Sequence, residues 1–292
     1  MSLPTGTNYK KMATVKFELR SAGYCTALKS HALRGTAART IKFFATYSYL
    51  HHPTHGHILF DTGYTTRFYE LTKSLPMSLY AKATKVFVKP ENHASVALSK
   101  DGISPESIDK IIISHFHADH IGGLRDFPNA TFICSQQAYD SIQNKTGFSA
   151  LKQGFIPELL PDDFDHRVQL IHTESGKNQD IHLGPMFDLF GDGSIQLFQV
   201  EGHACGQIGA LIKTEQKPVL LIADAAWLKE NYLQMHLPSP IVRLFFHSWK
   251  NFKVSLKNVH NYHQANPDTL IIPCHCEATY RQLANDLTDE AQ

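Results

Sequence analysis

Four side chains of the kind that bind metal ions lie within six residues of the sequence. They are His115, His117, Asp119 and His120, in the order H-x-H-x-D-H. The apolar run Ile111–Ile113 before them predicts a buried strand, which fixes the backbone of the ligands while their side chains converge. Imidazole suits zinc, and a neighbouring carboxylate tolerates zinc, manganese or iron. A polar loop that happens to be rich in histidine is the weaker explanation, because the four residues directly follow a strand.

Three further candidate ligands each follow a separate apolar strand. They are His203, Asp224 and His275. The strands predicted before them are Ile195–Val200, Val219–Ala223 and Thr269–Ile272. A single histidine at a strand end is usually structural, so the argument depends on the three occurring together. The sequence therefore predicts one metal site assembled from loops at the ends of several strands.

A site of this size can hold two metal ions, and we predict two zinc ions, with iron or manganese as alternatives. Two ions about 3.5–4 Å apart can hold a bridging water, lower its pKa to near neutrality and polarise a carbonyl or phosphoryl oxygen. Asp119 can bind a metal and also pass a proton to the leaving group. No serine or cysteine nucleophile is required. Cys205, Cys274 and Cys276 flank predicted ligands, but we do not predict them as ligands.

Composition excludes several classes of function. The net charge is +1 with histidine neutral, so no basic footprint for nucleic acid or for an anionic membrane is visible. No run approaches the roughly 18 apolar residues that a membrane span needs. Residues 1–11 are polar and contain no apolar stretch of signal-peptide length, and the five cysteines form no C-x-x-C pair. We therefore expect a cytoplasmic protein that acts on a small molecule.

The order of predicted elements is strands with interspersed helices, which favours sheets covered by helices and disfavours a dinucleotide-binding fold. The remaining strands are predicted at Thr14–Leu19, Ile41–Tyr49, His57–Phe60, Lys110–Ile113, Ala130–Cys134, Val168–His172 and Gln207–Ile212. Helices are predicted at Tyr64–Leu71, Ala94–Lys100, Gln136–Gln143, Phe246–Gln264 and Ala278–Thr288. Residues 53–56 predict a hairpin turn. We expect one domain over residues 1–292, with 141–192 and 227–246 as insertions or pocket walls.

Five motifs stand in the order that is found in the metallo-β-lactamase superfamily, which the sequence resembles from about Thr14 to Ile272 and beyond. They are Asp61-Thr62-Gly63 after a strand, the H-x-H-x-D-H run, a Gly-His loop at His203, then Asp224 and His275. The resemblance implies a four-layer αββα sandwich of the α/β (α+β) class, with the metals at one edge of its two sheets.

The resemblance also implies a division of the ligands between two metals. One metal would be bound by His115, His117 and His203. The other would be bound by Asp119, His120 and His275, and Asp224 would bridge both. Asp61 would orient a ligand histidine through a hydrogen bond. We predict Asp119 and Asp224 as catalytic residues as well as ligands.

Within the superfamily, the sequence is similar to the branch that opens acyl-homoserine lactones. The similar stretches are Ser114–Gly123 running on to Phe127–Thr131, Phe190–Gly193 and Ala223–Ala226. That branch has a tyrosine three residues after the bridging aspartate, and this chain has Trp227. Losing a donor that stabilises developing charge commonly costs about 10²–10³ in rate. The sequence therefore predicts hydrolysis of a lactone or another carboxylic ester more firmly than homoserine lactone specificity.

Two aromatic residues are candidates for the substrate pocket, Trp227 and Tyr232, and Tyr64 is a further phenol that could replace the missing one. Trp227 begins the apolar segment 227–246. This segment could line a pocket for an acyl chain, pack on the sandwich or form a homodimer contact. The sequence leaves these alternatives open.

Other activities use the same kind of metal site. A hydrolase of glutathione thioesters would need a basic C-terminal subdomain, and few residues follow His275. A phosphodiesterase or nuclease usually carries a basic substrate arm, which is not visible. Redox relatives have a glutamate where this chain has His117, and β-lactam hydrolases with a cysteine ligand lack His120 and the bridging aspartate. A metal-binding regulatory protein is the non-enzymatic alternative, and the complete ligand set argues against it.

Overall fold

Thirteen β-strands form two sheets within residues 13–289, which the computed structural model describes. In chain order the strands are β1 (Lys16–Leu28), β2 (Thr40–His52), β3 (Gly56–Phe60), β4 (Lys85–Phe87), β5 (Ile108–Ile112), β6 (Thr131–Ser135), β7 (Val168–Ile171), β8 (Asn178–Asp180), β9 (Gly184–Asp188), β10 (Ile195–Gln199), β11 (Ile208–Ile212), β12 (Val219–Leu221) and β13 (Leu270–Ile272). The α-helices are α1 (Lys29–Ala32), α2 (Arg67–Leu71), α3 (Ser78–Ala83), α4 (Ala94–Lys100), α5 (Ala118–Ile121), α6 (Gln136–Ile142), α7 (Gly147–Lys152), α8 (Phe164–Arg167), α9 (Lys229–Leu233), α10 (Trp249–Ala265) and α11 (Glu277–Asp289).

The first sheet has the strand order β4-β1-β2-β3-β5-β6-β7. Its β4, β1, β2 and β3 are joined by antiparallel ladders, whereas β3, β5, β6 and β7 run parallel. The central strands are buried on both faces, as is usual for parallel strands that are covered on each side. In β5, for example, Ile111 faces the helices and Ile112 faces the second sheet.

The second sheet has the order β13-β12-β11-β10-β9-β8 and is antiparallel except for the β12–β13 pair. It packs on the first sheet through aliphatic side chains such as Ile58 and Ile112 on one side and Leu197 and Ile208 on the other. Its outer face is covered by α9 and α10, where Phe252 and Leu256 are fully or almost fully buried. Helices therefore cover both sheets, and the αββα sandwich is confirmed.

Several predicted element boundaries were wrong. The helix predicted from Phe246 begins at Trp249, because the Ser248 hydroxyl accepts a hydrogen bond from the backbone N–H of Asn251 and caps the helix. Within the segment 141–192, the strand predicted at Val168–His172 is confirmed as β7, whereas β8 and β9 were not predicted. Segment 227–246 forms only the short helix α9 and a 3-10 turn at Pro240–Phe245.

The turn predicted at residues 53–56 is confirmed, since it joins the antiparallel pair β2–β3. Its geometry comes from His52, whose Nδ1 accepts hydrogen bonds from the backbone N–H groups of Thr54 and His55. Among the described helices, none has both the length and the apolar content needed to cross a membrane.

Candidate metal centre

The seven predicted ligands and Asp61 all follow strand ends at one edge of the two sheets. Asp61 follows β3, and the run from His115 to His120 follows β5. The second sheet contributes His203 after β10, Asp224 after β12 and His275 after β13. A hydrogen bond of 3.1 Å from the Ile208 N–H to the Ser114 carbonyl joins the two sheets beside the site. The strand-end positions inferred from sequence therefore converge on one place.

Four of these residues form a first group, which consists of His115, His117, His203 and Asp224. Their ligand atoms all lie within 4.8 Å of one another. The Nε2 atom of His203 is 2.9 Å from Nδ1 of His117 and 3.0 Å from Oδ2 of Asp224. Three of the four residues are buried, and His117 is partly exposed. Imidazole nitrogens and a carboxylate that point at one another in this way offer a set of zinc ligands.

A second group shares Asp224 with the first and consists of His120, Asp224, Cys274 and His275. Nε2 of His120 is 3.5 Å from Oδ1 of Asp224, and Nε2 of His275 is 3.3 Å from Oδ2. Asp119 lies beside this group, because its Oδ2 is 3.5 Å from Nε2 of His275. Cys274 was not predicted here, and its thiol donates a hydrogen bond to Oδ1 of Asp224.

In each buried histidine that follows β5 or β13, Nδ1, the outer ring nitrogen that is turned away from Asp224, lies against a protein group. Nδ1 of His120 is 2.7 Å from Oδ2 of Asp61, and Nδ1 of His115 is 3.0 Å from the Ser114 hydroxyl. Nδ1 of His275 is 2.8 Å from the carbonyl oxygen of Phe44. Partners of this kind fix the tautomer and ring orientation of metal-binding histidines.

The Nε2 atoms, which are the inner nitrogens of these histidines, show whether the site fits a metal ion. Within residues 13–289, Nε2 of His115 and Nε2 of His120 are buried and have no hydrogen-bond partner. A buried polar atom without a partner is costly, by about 1–3 kcal/mol. This free-energy cost is removed when the lone pair of each nitrogen binds a cation that the shared carboxylate also binds. The residues present therefore fit a metal-binding role.

The charges at the site suit the same role. Burial and neighbouring imidazoles lower the pKa values of His115 and His117 well below their ordinary range, so both side chains are neutral and keep a free lone pair. Burial alone would raise the pKa of Asp224, but His275 and His203 lower it well below its ordinary range. Asp224 is therefore ionised, although it is only 2% exposed.

Close packing of backbone explains the glycines around the site. A Cβ atom on Gly122 would lie 2.5 Å from the Gly63 carbonyl oxygen, and one on Gly123 would lie 3.1 Å from Cβ of Thr62. Both glycines have negative φ angles, so the lack of space for a Cβ atom, and not a left-handed backbone, explains them. Gly202 has a φ of 127° and also lacks space, because a Cβ atom there would lie 2.0 Å from the backbone nitrogen of Phe252 near the start of α10.

The candidate pocket residues differ in their positions. Trp227 is half-buried, and its indole Nε1–H donates a 3.1 Å hydrogen bond to Oδ2 of Asp224. The ring of Tyr232 instead lies against His263 of α10, with centroids 5.6 Å apart. Tyr64 is buried with its ring against Phe68 in the core between the first sheet and its helices. Of the three, Trp227 has direct contact with a predicted ligand.

Both candidate wall segments reach the site. In 141–192, Gly154 lies against His117, because a Cβ atom there would be 2.6 Å from the imidazole Cδ2. In 227–246, the ring of Phe246 lies edge-on to His203 with centroids 5.1 Å apart. Leu244 and Phe245, beside it, are 87% and 66% exposed.

A third group of potential ligands, His52, His55 and Asp192, lies at the β2–β3 turn. Because Nδ1 of His52 accepts two backbone N–H groups, its Nε2 must carry the proton. That N–H faces the Asp192 carboxylate at 3.0 Å and the Ser194 hydroxyl at 3.1 Å. A protonated nitrogen cannot bind a metal, so this group stabilises the turn.

A profile of the metallo-beta-lactamase superfamily matches residues 41–261 of the chain. This chain belongs to the metallo-beta-lactamase superfamily. The resemblance carried by the motifs is therefore confirmed.

The superfamily members that are similar to the chain include lactonases. N-acyl homoserine lactonase AttM of Azorhizobium caulinodans is 30% identical over 156 residues, 52% of this chain and 54% of the relative. An N-acyl homoserine lactonase of a Bacillus species is 32% identical over 136 residues, 46% of this chain and 45% of the relative. The chain thus spans about half the length of the curated relatives that it matches. A structure of a B. thuringiensis AiiA mutant with N-decanoyl-L-homoserine bound has a TM-score of 0.68 at 20% identity, over 92% of this chain and 96% of that one.

Some contacts of this metallo-beta-lactamase site have no signal in the sequence patterns. Ser114 was quoted only as part of a motif, yet its hydroxyl contacts both Asp61 and His120. The Cys274 contact could not be inferred, since a cysteine before a histidine has no specific signal. The Phe44 carbonyl is a backbone group on a distant strand, which sequence does not reveal.

Proposed function

We propose that this chain is a metal-dependent hydrolase that holds two metal ions, which the chemistry of its donors indicates are zinc, and that opens a lactone or another carboxylic ester. The observation that carries the proposal is the pair of ligand groups that share the carboxylate of Asp224. Imidazole nitrogens and an ionised carboxylate at one place are suited to bind divalent cations.

The proposed ligands of one metal are His115, His117 and His203. Those of the other are Asp119, His120 and His275, and Asp224 is proposed to serve both. His115 and His120 support this division, since each has its outer nitrogen bonded to the protein and its inner nitrogen buried without a partner among the described residues. Asp61 is proposed to orient His120.

Two metals bound here would supply an activated water and a Lewis acid for the carbonyl oxygen of the substrate. The protein residues around them have separate tasks. Asp119 lies beside the second group, its side chain is 11% exposed, and it can give a proton to the leaving oxygen. The rings of Phe246 and Trp227 both lie against His203, with centroids 5.1 and 5.9 Å from its ring. We propose that these two rings contact the apolar part of a small substrate.

The lactone class is supported by the relatives, which are named as N-acyl homoserine lactonases. The match spans about half of the length of these relatives. We therefore extend to this chain the class of reaction and not the particular lactone. Trp227 stands where the lactonase branch has a tyrosine, and its N–H is engaged by Asp224. Lactones and esters other than homoserine lactones therefore belong in the test.

The test measures metal content and hydrolysis on the same purified protein. The substrates are a panel of lactones, carboxylic esters, thioesters and bis-aryl phosphodiesters. We expect two equivalents of metal and turnover of a lactone or ester. Asp224→Asn should lower turnover by at least about 10–100-fold, the size of effect known for groups that support metal ligands. The control is Asp162→Asn, which changes a side chain that is 91% exposed.

The other outcomes are informative. Turnover of only a phosphodiester or thioester with two metals bound would keep the site and contradict the lactone or ester assignment. Less than one equivalent of metal and no turnover would contradict the proposal as a whole.

A further inference from the structure

The shared carboxylate of Asp224 receives a hydrogen bond from a neutral side chain that is not a proposed ligand. The indole Nε1–H of Trp227 donates to Oδ2 over 3.1 Å. The other oxygen, Oδ1, receives the thiol of Cys274. An indole nitrogen is a donor only, so Trp227 cannot bind a metal and can act on one solely through Asp224.

The indole ring is held in place on several sides. Its centroid is 5.7 Å from that of Phe43, 5.3 Å from that of Phe246 and 5.9 Å from that of His203. These distances are typical of packed aromatic pairs. The ring therefore has little freedom to turn its N–H away from Asp224.

The backbone at Trp227 is fixed as well. Its N–H donates to Oδ1 of Asn231, and the Asn231 side chain is fully buried. The amide of Asn231 in turn donates to the carbonyl oxygens of Ala32 and His236, at 2.9 and 2.6 Å. The start of α9 thus ties the indole to two other segments of the chain.

We propose that Trp227 is a positioning residue for Asp224, which fixes the carboxylate through the Nε1–H bond and so sets the metal affinity of the site. It does not bind the carbonyl oxygen of the substrate, because its one N–H is used. The inference rests on the proposed function in that Asp224 is taken as a metal ligand. Removing an outer hydrogen-bond partner of a ligand typically lowers metal affinity by about 10–100-fold.

The chain provides a matched control, because it contains two tryptophans, Trp227 and Trp249. Each lies against Phe246, at centroid distances of 5.3 and 5.2 Å, and only Trp227 contacts Asp224. Trp227→Phe keeps an aromatic ring and deletes the N–H. Trp249→Phe makes the same chemical change without touching the carboxylate.

Zinc affinity is measured for the wild-type protein and both variants by competition with a chromophoric chelator, and melting of the metal-free proteins is recorded beside it. We expect Trp227→Phe to lower the zinc affinity by about 10–100-fold and Trp249→Phe to leave it unchanged. The melting temperatures of the metal-free proteins should not account for the difference in zinc affinity between the two variants. A Trp227→Phe affinity within twofold of wild type, or equal losses in both variants, would overturn the inference.

A second measurement does not require Trp227→Phe to fold. In Trp249→Phe, Trp227 is the single tryptophan of the chain. Its emission should change as zinc is added and reach a plateau when the site is saturated, and unchanged emission at saturating zinc would overturn the inference. Absence of zinc binding by the wild-type protein would contradict the proposed function itself, so the two failures can be told apart.

Discussion

Asp61 illustrates how much of the site depends on single residues that are not ligands. Its backbone has a φ of 61°, a left-handed conformation that few residues other than glycine, asparagine and aspartate adopt. From there Oδ1 accepts the Ser114 N–H, and Oδ2 accepts the Ser114 hydroxyl and Nδ1 of His120. The carboxylate therefore organises the start of the H-x-H-x-D-H run.

We expect Asp61→Asn to lower zinc affinity by about 10–100-fold. Asparagine tolerates the same φ angle, so the backbone is retained. Its amide removes one of the acceptor oxygens that hold Ser114 and His120. The measurement is zinc affinity by chelator competition, and Asp109→Asn is the control because Asp109 accepts a hydrogen bond from the backbone of His57 at an exposed position. Equal zinc affinity in wild type and Asp61→Asn would contradict the assigned role.

The residues of the site were predictable to the extent that they obey a strand-end rule. His203, Asp224 and His275 could be selected from many polar residues because each follows an apolar strand. Hydrogen bonds to the ligands were harder to predict from sequence. The Trp227–Asp224 hydrogen bond, for example, joins residues that are three apart in a turn. Such a bond depends on the local backbone, which includes Ala223 at a φ of 44°. Sequence patterns do not specify a conformation of that kind.

At the scale of elements, the loop after α7 closes against the site through Gly154. This residue has a φ of 62°, and a Cβ atom would lie 2.6 Å from Cδ2 and 2.9 Å from Nε2 of His117. His117 would have to move to make room, because the contact is with its ring. The loop thereby contacts the Cδ2–Nε2 edge of a proposed ligand, whose Nδ1 lies 2.9 Å from Nε2 of His203.

Gly154→Ala should reduce zinc binding because the new methyl group displaces the His117 ring. Gly147→Ala is a close control: Gly147 also has a positive φ, of 53°, and a Cβ atom there meets nothing within 4 Å among the described residues. Both variants should lose about 1–2 kcal/mol of stability from the left-handed conformation. Zinc content of the purified proteins separates them, and a full complement of zinc in Gly154→Ala would show that the contact is unimportant.

Strands made of apolar runs were predicted well from sequence, and polar strands at a sheet edge were not. The apolar strands β5, β10 and β12 stand out because both of their faces are buried. Strand β8 consists of Asn178–Asp180 at the edge of the second sheet and has no buried residue. An edge strand of three polar residues has the composition of a loop, and only its pairing with β9 identifies it. Pairing with a neighbour is a tertiary property.

At the scale of the whole molecule, the proposed ligands come from both sheets. His115 to His120 follow a strand of the first sheet, whereas His203, Asp224 and His275 follow strands of the second. The sheets also meet through the aliphatic core between them, which does not depend on a metal. Metal binding therefore joins two layers that are already packed, and the metal-free protein should remain folded.

We expect zinc to stabilise the protein against thermal unfolding by an amount that grows with the ratio of the zinc concentration to its dissociation constant. A ligand at 100 times its dissociation constant adds about 2.7 kcal/mol to the free energy of unfolding if it binds the folded state alone. Thermal melting is recorded for chelator-treated protein before and after addition of zinc. His203→Ala should lose most of the increment, because it removes a ligand that the second sheet supplies to the first group. His166→Ala, at an exposed position on α8, should keep the increment. An increment of equal size in both variants would mean that zinc stabilises the fold from a place other than this strand-end site.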